Sequence, residues 1–463
     1  MKHVSWRAFG LLAAAVLLTV AAQGAGWSTP KAHRATKTSS KHKASAPIRP
    51  IDFSKLTPVP IEDREGALDP FFQSLRDLGK ASQRAPETRV VRILHFGDSH
   101  VEADLWTGEM RRLLQARFGD AGTGYVMPGR PWRYFRHSLA RSTGTGWVTM
   151  GVGKDPGDGF VGLGGAALTP GPKAGLAAVE TSCGSYEVQL GLPDGHAIVH
   201  LYQDEECVFS GPVEEATAGR VGDVMLTFDP IPFEGAPCAA LAFLTGDTGT
   251  PGAPHQVAVE AESGDLRILG ADFRSGNSGI LYDALGLIGT EVDSLDRWRA
   301  EVRAALLQHA APSLIIISYG TNDMGRSAFS EEEYHQRCSR LLADLRKDAP
   351  GVPVLVTGPI DRDGKRSRVK GIVRENEPEV IAALRQAAME NGCAFWDARA
   401  AMGGEGSIAK WKAAKLAQGD YVHLTEAGYV KLAGLLVDQL MAAYGRANPT
   451  ESKETPQPTE GSP

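Results

Sequence analysis

An apolar run, Val90-Val91-Arg92-Ile93-Leu94-His95-Phe96, ends in the small-residue turn Gly97-Asp98-Ser99. The pattern then changes: from Ala103 to Phe118, Leu105, Met110, Leu113, Leu114 and Phe118 recur among charges at helical spacing. Strand, tight turn and helix predict one unit of a parallel sheet, with Ser99 at its carboxyl edge. There the hydroxyl is exposed and the first backbone N–H groups of the helix point towards it. Gly-Asp-Ser also occurs in turns without chemistry. The meaning of Ser99 therefore depends on what else the chain delivers to that edge.

The strand–helix texture returns after a long interruption. From about Trp147 to Asp272 the chain is Gly-rich, with short alternating runs such as Tyr186-Glu187-Val188-Gln189-Leu190 and Gln256-Val257-Ala258-Val259-Glu260. These predict an antiparallel sandwich. Beyond Gly276, strands are expected at Leu314–Ser318, Val352–Val356 and Cys393–Trp396. Helices are expected at Glu331–Lys347, Glu377–Asn391 and Thr425–Tyr444, the last with Thr425 as N-cap. The expected fold is α/β, a doubly wound parallel sheet split by an all-β sandwich insert.

The ends have a different character. Lys2, His3 and Arg7 precede the apolar run Ala8–Ala22 and the small residues Ala22-Gln23-Gly24-Ala25, the layout of a secretory signal peptide. Residues 26–50 form a basic, core-less linker and 448–463 a polar, Pro-rich tail, both expected to be disordered. Between them the organisation reads 51–145 first α/β part, 146–272 β insert, 273–447 second α/β part. The mature chain has no segment apolar enough to span a bilayer, so an exported protein of periplasm or cell envelope is expected, most simply a monomer. The net charge of -6 argues against nucleic acid as a partner. Five cysteines leave at least one thiol unpaired, and Cys183, Cys207 and Cys238 in the insert allow one disulfide.

Two further segments fall where the sheet would present them: Gly320-Thr321-Asn322-Asp323 after the strand Leu314–Ser318, and Asp420-Tyr421-Val422-His423 before the last helix. A third, Leu287-Ile288-Gly289-Thr290, opens the second α/β half. Together they supply serine acyl transfer. Ser99 would attack, His423 would move the proton, and Asp420 would orient the imidazole. The N–H groups of Ser99 and Gly289 and the Asn322 amide would form the oxyanion hole. Asp98 reads as a turn cap and Asp323 as a positioning group. His95, Asp98 and His100 make a poor metal set, and the chemistry needs neither metal nor cofactor.

These residues make the chain similar to the SGNH (GDSL-like) hydrolases. Gly97-Asp98-Ser99-His100 resembles the family's first block, Gly289 its second, Gly320-Thr321-Asn322-Asp323 its third and Asp420-x-x-His423 its fifth. Ile288 departs from the pattern, where Asn would precede the block-two glycine. Phe118–Val126 and Phe395–Gly404 resemble bacterial peptidoglycan O-acetylesterases with a carbohydrate-binding-module-like jelly roll between blocks one and two. The resemblance implies a flavodoxin-like sheet of SGNH type. It also implies an O-acetylated glycan substrate, deacetylated at the C6 hydroxyl of N-acetylmuramic acid, with Ser99, Asp420 and His423 as triad. Two other readings remain at this stage: a polysaccharide O-acetyltransferase with the same triad, and a non-catalytic wall-binding protein. In the insert, Trp147 and Phe160 are candidate sugar platforms; Arg130, Trp132 and Arg133 are candidates to line a glycan groove.

Overall fold

The computed structural model describes residues 48–81, 88–151, 157–325, 328–363 and 376–447. The signal peptide expected at 1–25, nearly all of the linker and the tail at 448–463 lie outside these residues.

Five parallel strands form one sheet, in the spatial order Gly279–Gly286, Val90–Gly97, Leu314–Ser318, Val354–Thr357, Ala394–Trp396. Their register sets Gly97 level with Gly286 on one side and Ser318 on the other, so three loops leave the sheet together at its carboxyl edge. Helices cover both faces, because these strands are apolar on both sides. Ile93, Ile316, Leu355 and Trp396 pack with Met110, Leu114, Leu432 and Leu436 from the helices Trp106–Phe118 and Glu426–Ala447. On the other face, Leu94, Phe96, Ile317 and Val356 pack with Leu306, Leu341 and Leu384 from Ala300–Ala310, Glu331–Asp348 and Glu377–Glu390. Trp396 and Trp411 are fully buried core aromatics.

Two antiparallel sheets interrupt this unit. Eight strands, with Ser185–Leu192 and Arg267–Arg274 at the centre, face five strands built around Pro254–Gly264. Val188, Leu190, Leu244 and Ile268 meet Val179, Leu201, Val257 and Val259 between them. The short strands Gly124–Val126 and Ala140–Thr143, which precede residue 146, pair with Arg267–Arg274 and Ala177–Ser182. The outer face of the eight-stranded sheet is buried as well along its central strands. Leu241, Phe243 and Leu269 share one apolar cluster with Leu94, Phe96 and Leu306. The Phe243 ring stacks on His309 at 3.8 Å. The junction also carries a buried ionic clamp: Arg92 donates to Asp283 at 2.6 Å and to Asp272 at 3.0 Å.

Three expectations are corrected here. The helix expected over Ala103–Phe118 starts only at Trp106, and a separate short helix, Ser99–Glu102, precedes it. Asp104 breaks them apart at φ +47°, its carboxylate being engaged by Arg111, Thr107 and the Ser138 N–H. All five cysteines are free thiols, so the insert disulfide is not formed. Phe160 is fully buried beside Phe233, and the half-buried Trp147 donates its indole N–H to the Gly175 carbonyl. Neither is an open sugar platform.

Candidate active site

The site is assembled by the crowded end of Val90–Gly97. A Cβ on Gly97 would stand 2.4 Å from the Val101 side chain and 2.8 Å from the Ser318 carbonyl. One on Gly286 would stand 2.1 Å from the Glu102 nitrogen. Only glycine lets the nucleophile helix sit this close to the two flanking strands. Asp98 caps that helix, accepting the His100 N–H at 2.9 Å. Ser99 is thereby held at the first helical position, half-buried and facing out.

Ser99 Oγ lies 2.9 Å from His423 Nε2, and His423 Nδ1 lies 2.7 Å from Asp420 Oδ2. The short sequence gap between Asp420 and His423 is closed by a tight turn. Tyr421 adopts φ +58°, and Asp420 Oδ1 accepts the N–H groups of both Val422 and His423 at 3.0 Å. Burial works to raise the Asp420 pKa, but the His423 bond and these two N–H donors outweigh it and hold it below the usual carboxylate range. The carboxylate stays charged where an imidazolium would need it.

The other two loops are laced to the same strand end. Leu287 donates its N–H to the Gly97 carbonyl at 3.0 Å, and the Thr290 hydroxyl closes the same loop by donating to the Leu287 carbonyl at 2.6 Å. Asn322 Nδ2 donates to the Thr290 carbonyl at 2.8 Å, tying the third loop to the second. That bond uses one of the two amide hydrogens and leaves the other for a ligand. Gly289 is exposed at the tip of its loop. Among the described residues, the N–H groups of Ser99 and Gly289 have no hydrogen-bond acceptor. Three donors on the loops at this edge of the sheet are therefore left for a ligand.

Asp98 and Asp323 are fully buried. Burial pushes the Asp98 carboxyl up to about 6, against the His100 N–H and the Thr321 hydroxyl, which favour its charge. Arg362 fixes the third loop by donating to the Thr321 carbonyl at 2.6 Å. Asp323 starts the turn Asp323–Gly325 behind Asn322.

Several participants escaped the sequence reading. His100 packs its ring on His423 and shares a 2.7 Å hydrogen bond with the Tyr429 hydroxyl. His95 bridges the Tyr282 and Ser318 hydroxyls at 2.8 and 2.6 Å beneath the site. Glu102, one helical turn after Ser99, accepts the Trp132 indole N–H at 2.5 Å. The spacing from Ser99 marked Glu102 as a neighbour; nothing in the sequence paired it with Trp132.

Residues 246–431 match the family model of the GDSL-like lipase/acylhydrolases. The fold matches a solved peptidoglycan O-acetylesterase with TM-score 0.64 at 22% identity, over 83% of this chain and 99% of that one. A protein from Lactobacillus plantarum aligns at 22% identity over 35% of this chain and 80% of that one, with TM-score 0.28. A carbohydrate esterase family 2 enzyme with a carbohydrate-binding domain, from Corynascus thermopiles (Myceliophthora fergusii), aligns at 11% identity over 65% of this chain and 99% of that one, with TM-score 0.26. No curated protein sequence matches. Family match and fold define a hydrolase of the esterase type. The second half of the chain is thus similar to the GDSL-like lipase/acylhydrolases, the family its motifs resemble.

Proposed function

We propose that this chain is an exported serine esterase that removes O-acetyl groups from a cell-wall glycan. The preferred substrate is peptidoglycan acetylated at the C6 hydroxyl of N-acetylmuramic acid. The observation that carries the reading is the continuous chain Ser99 Oγ–His423–Asp420, with both links under 3 Å. His423 Nε2 takes the hydroxyl proton as Ser99 Oγ attacks the acetyl carbonyl. The N–H groups of Ser99 and Gly289 and the Asn322 amide receive the oxyanion. His423 returns the proton to the departing sugar oxygen, leaving acetyl-Ser99. Water then takes the place of the sugar oxygen: His423 removes its proton as it attacks the acetyl carbonyl and passes that proton to Ser99 Oγ as acetate leaves.

The signal-peptide pattern at 1–25 supports export, and no helix among the described residues is long and apolar enough to cross a membrane. The strands Gly124–Val126, Ala140–Thr143 and Arg267–Arg274 all lie in the antiparallel layers, so we take a jelly-roll-like insert wider than the expected 146–272, from 124 to 274, that shapes the substrate cleft of a hydrolase domain built from 51–123 and 275–447. The insert's shared core with the α/β helices favours a fixed position over a tethered one. The solved peptidoglycan O-acetylesterase of similar fold supports the choice of glycan.

The test is acetate release from O-acetylated peptidoglycan and from a small aryl acetate, by wild type and Ser99→Ala. Release from both substrates, abolished by the substitution, is expected. Turnover of the aryl acetate alone would remove peptidoglycan as the substrate.

A further inference from the structure

A groove of about 440 Å³ runs along the segment 130–145, lined by Arg130, Phe135, Arg136 and Arg141. Arg133 stands next to it, its guanidinium over the Tyr134 ring at 5.5 Å. Tyr134 is 68% exposed, more than any other large apolar or aromatic side chain described. All four arginines are exposed, in a chain of net charge -6. Among the described residues none of the four forms an ion pair with a carboxylate. Glu180, the cross-strand neighbour of Arg141, stays outside pairing distance. Arg130 spends one donor on the Arg133 carbonyl at 2.6 Å and Arg136 spends its Nε on the Ala103 carbonyl; the guanidinium charges themselves stay uncompensated by a bonded carboxylate and make this face locally positive.

The segment is strapped to the nucleophile helix. Trp132 donates to Glu102, and Arg136 Nε donates to the Ala103 carbonyl at 3.0 Å, directly after the helix that begins at Ser99. Trp132 and Phe135 pack edge to face at 5.4 Å and stiffen the loop between the two straps. A ligand in the groove therefore lies in a fixed relation to Ser99. Its size suits one or two sugar rings.

We infer that this groove binds the carboxylate groups of an acidic glycan, holding neighbouring sugar units while one ester reaches Ser99. Guanidinium groups meet carboxylates through paired, charge-assisted hydrogen bonds. Exposed aromatic rings such as Tyr134 offer the flat apolar surface that a sugar face covers. The inference names the substrate class and rests on the esterase reading for its biological meaning. The binding itself does not depend on catalysis.

The experiment uses full-length Ser99→Ala protein and calorimetric titration with two carboxylate-bearing glycans, soluble peptidoglycan fragments and oligogalacturonates, each also with its carboxyl groups reduced to alcohols. Arg130→Gln/Arg141→Gln is compared with Arg117→Gln/Arg220→Gln, which removes the same charge from exposed sites elsewhere, and both are checked for unchanged melting. Binding is expected to at least one native glycan and to be lost on carboxyl reduction. It should weaken by ~10-fold or more in the groove variant only. It should also weaken between ~10 and ~150 mM salt, as the screening length falls from about 30 to about 8 Å. Preference for peptidoglycan over oligogalacturonate, or the reverse, identifies the source of the carboxylate. Equal binding of reduced glycans, equal loss in both variants, or no binding to either native glycan would overturn the inference. Failure of the esterase reading looks different: glycan binding persists while active enzyme releases no acetate from any glycan.

Discussion

The imidazole of His100 lies against that of His423, ring centroids 5.1 Å apart, with the Tyr429 hydroxyl on its Nδ1. Burial, and next to it the nearby His423, lowers the His100 pKa to about 3, so the ring beside the proposed base stays neutral. A second cation there would oppose the imidazolium that acyl transfer requires. The ring also blocks one route by which His423 could swing away from Ser99. His100→Ala is expected to lower kcat on an aryl acetate by ~10–100-fold, the scale set by about 1 Å of misplacement. His100→Phe, which keeps a ring in place, should recover part of that loss, and Tyr429→Phe should cost less than His100→Ala. Equal rates for wild type and His100→Ala, at equal melting temperature, would remove this role.

Asn322 spends one amide hydrogen on the Thr290 carbonyl. That bond fixes the direction of the second hydrogen before substrate arrives, which is what an oxyanion donor needs. Asn322→Ala is expected to reduce kcat by ~100–1,000-fold with little change in KM. Steady-state kinetics on aryl acetate decide it; a raised KM at unchanged kcat would make Asn322 a substrate-binding residue instead.

What the sequence made legible follows from periodicity and from chemistry carried on short motifs. The strand Leu314–Ser318 is legible at its observed bounds, because four consecutive buried apolar residues, Leu314 to Ile317, allow little else. Ser99, His423 and Asp420 were found by residue type and order, and their convergence follows from strands that all end on one edge. The insert was read as alternating strands. That pattern describes Ala197–Gln203 but not Ala240–Asp247, which is buried on both faces because its outer side packs on the α/β helices. Pairings such as Glu102–Trp132 or Arg92–Asp272 join residues far apart in sequence, and a single chain carries no signal for them. The break at Asp104 was hidden for the same reason: its cause is Arg111 and Ser138, not the local pattern.

The clamp between the two layers gives a stability prediction. Arg92 is buried and its guanidinium is shared by Asp272 and Asp283. Arg92→Met leaves the buried Asp283 without a cation and Asp272 with only the more exposed Arg274, 3.2 Å away. The loss of stability is expected to be ~3–5 kcal/mol. Arg92→Met/Asp272→Asn/Asp283→Asn, which removes all three charges, should restore a large part of it. Urea unfolding of the two proteins makes the comparison, and equal midpoints for wild type and the single variant would show that the clamp is not needed.

Asp98 stores a cost at neutral pH. Its folded pKa, raised by burial to about 6, lies above the unfolded value of about 3.9. The folded chain therefore holds this proton more tightly, so the group's contribution is complete below about pH 4 and is lost as the pH rises through about 6. Asp98→Asn keeps an oxygen to cap the helix and removes the titration. Relative to wild type, the variant is expected to gain ~2–3 kcal/mol between pH 4 and pH 7. A difference in unfolding free energy that is the same at both pH values would refute the assignment.

Three buried histidines act with the opposite sign. Burial lowers His95 and His100 to about 3 and His137 to about 4. An unfolded imidazole titrates near about 6.5. Between these values the unfolded chain binds protons that the folded chain refuses. The stability these groups contribute is therefore fully present above about pH 6.5 and is lost as the pH falls below it. Each can contribute a slope of up to about 1.4 kcal/mol per pH unit, and three together outweigh the single opposing slope of Asp98. The fold should lose stability steeply on acidification from pH 6.5 towards 4. His95 is the best placed for a test, since its two partners are hydroxyls that a glutamine amide can also bond. His95→Gln is expected to reduce the pH dependence of unfolding by about one proton in this window, even if it lowers stability at pH 7. A slope identical to wild type would mean that His95 is already protonated in the folded state, with the Tyr282 and Ser318 hydroxyls both accepting from its ring.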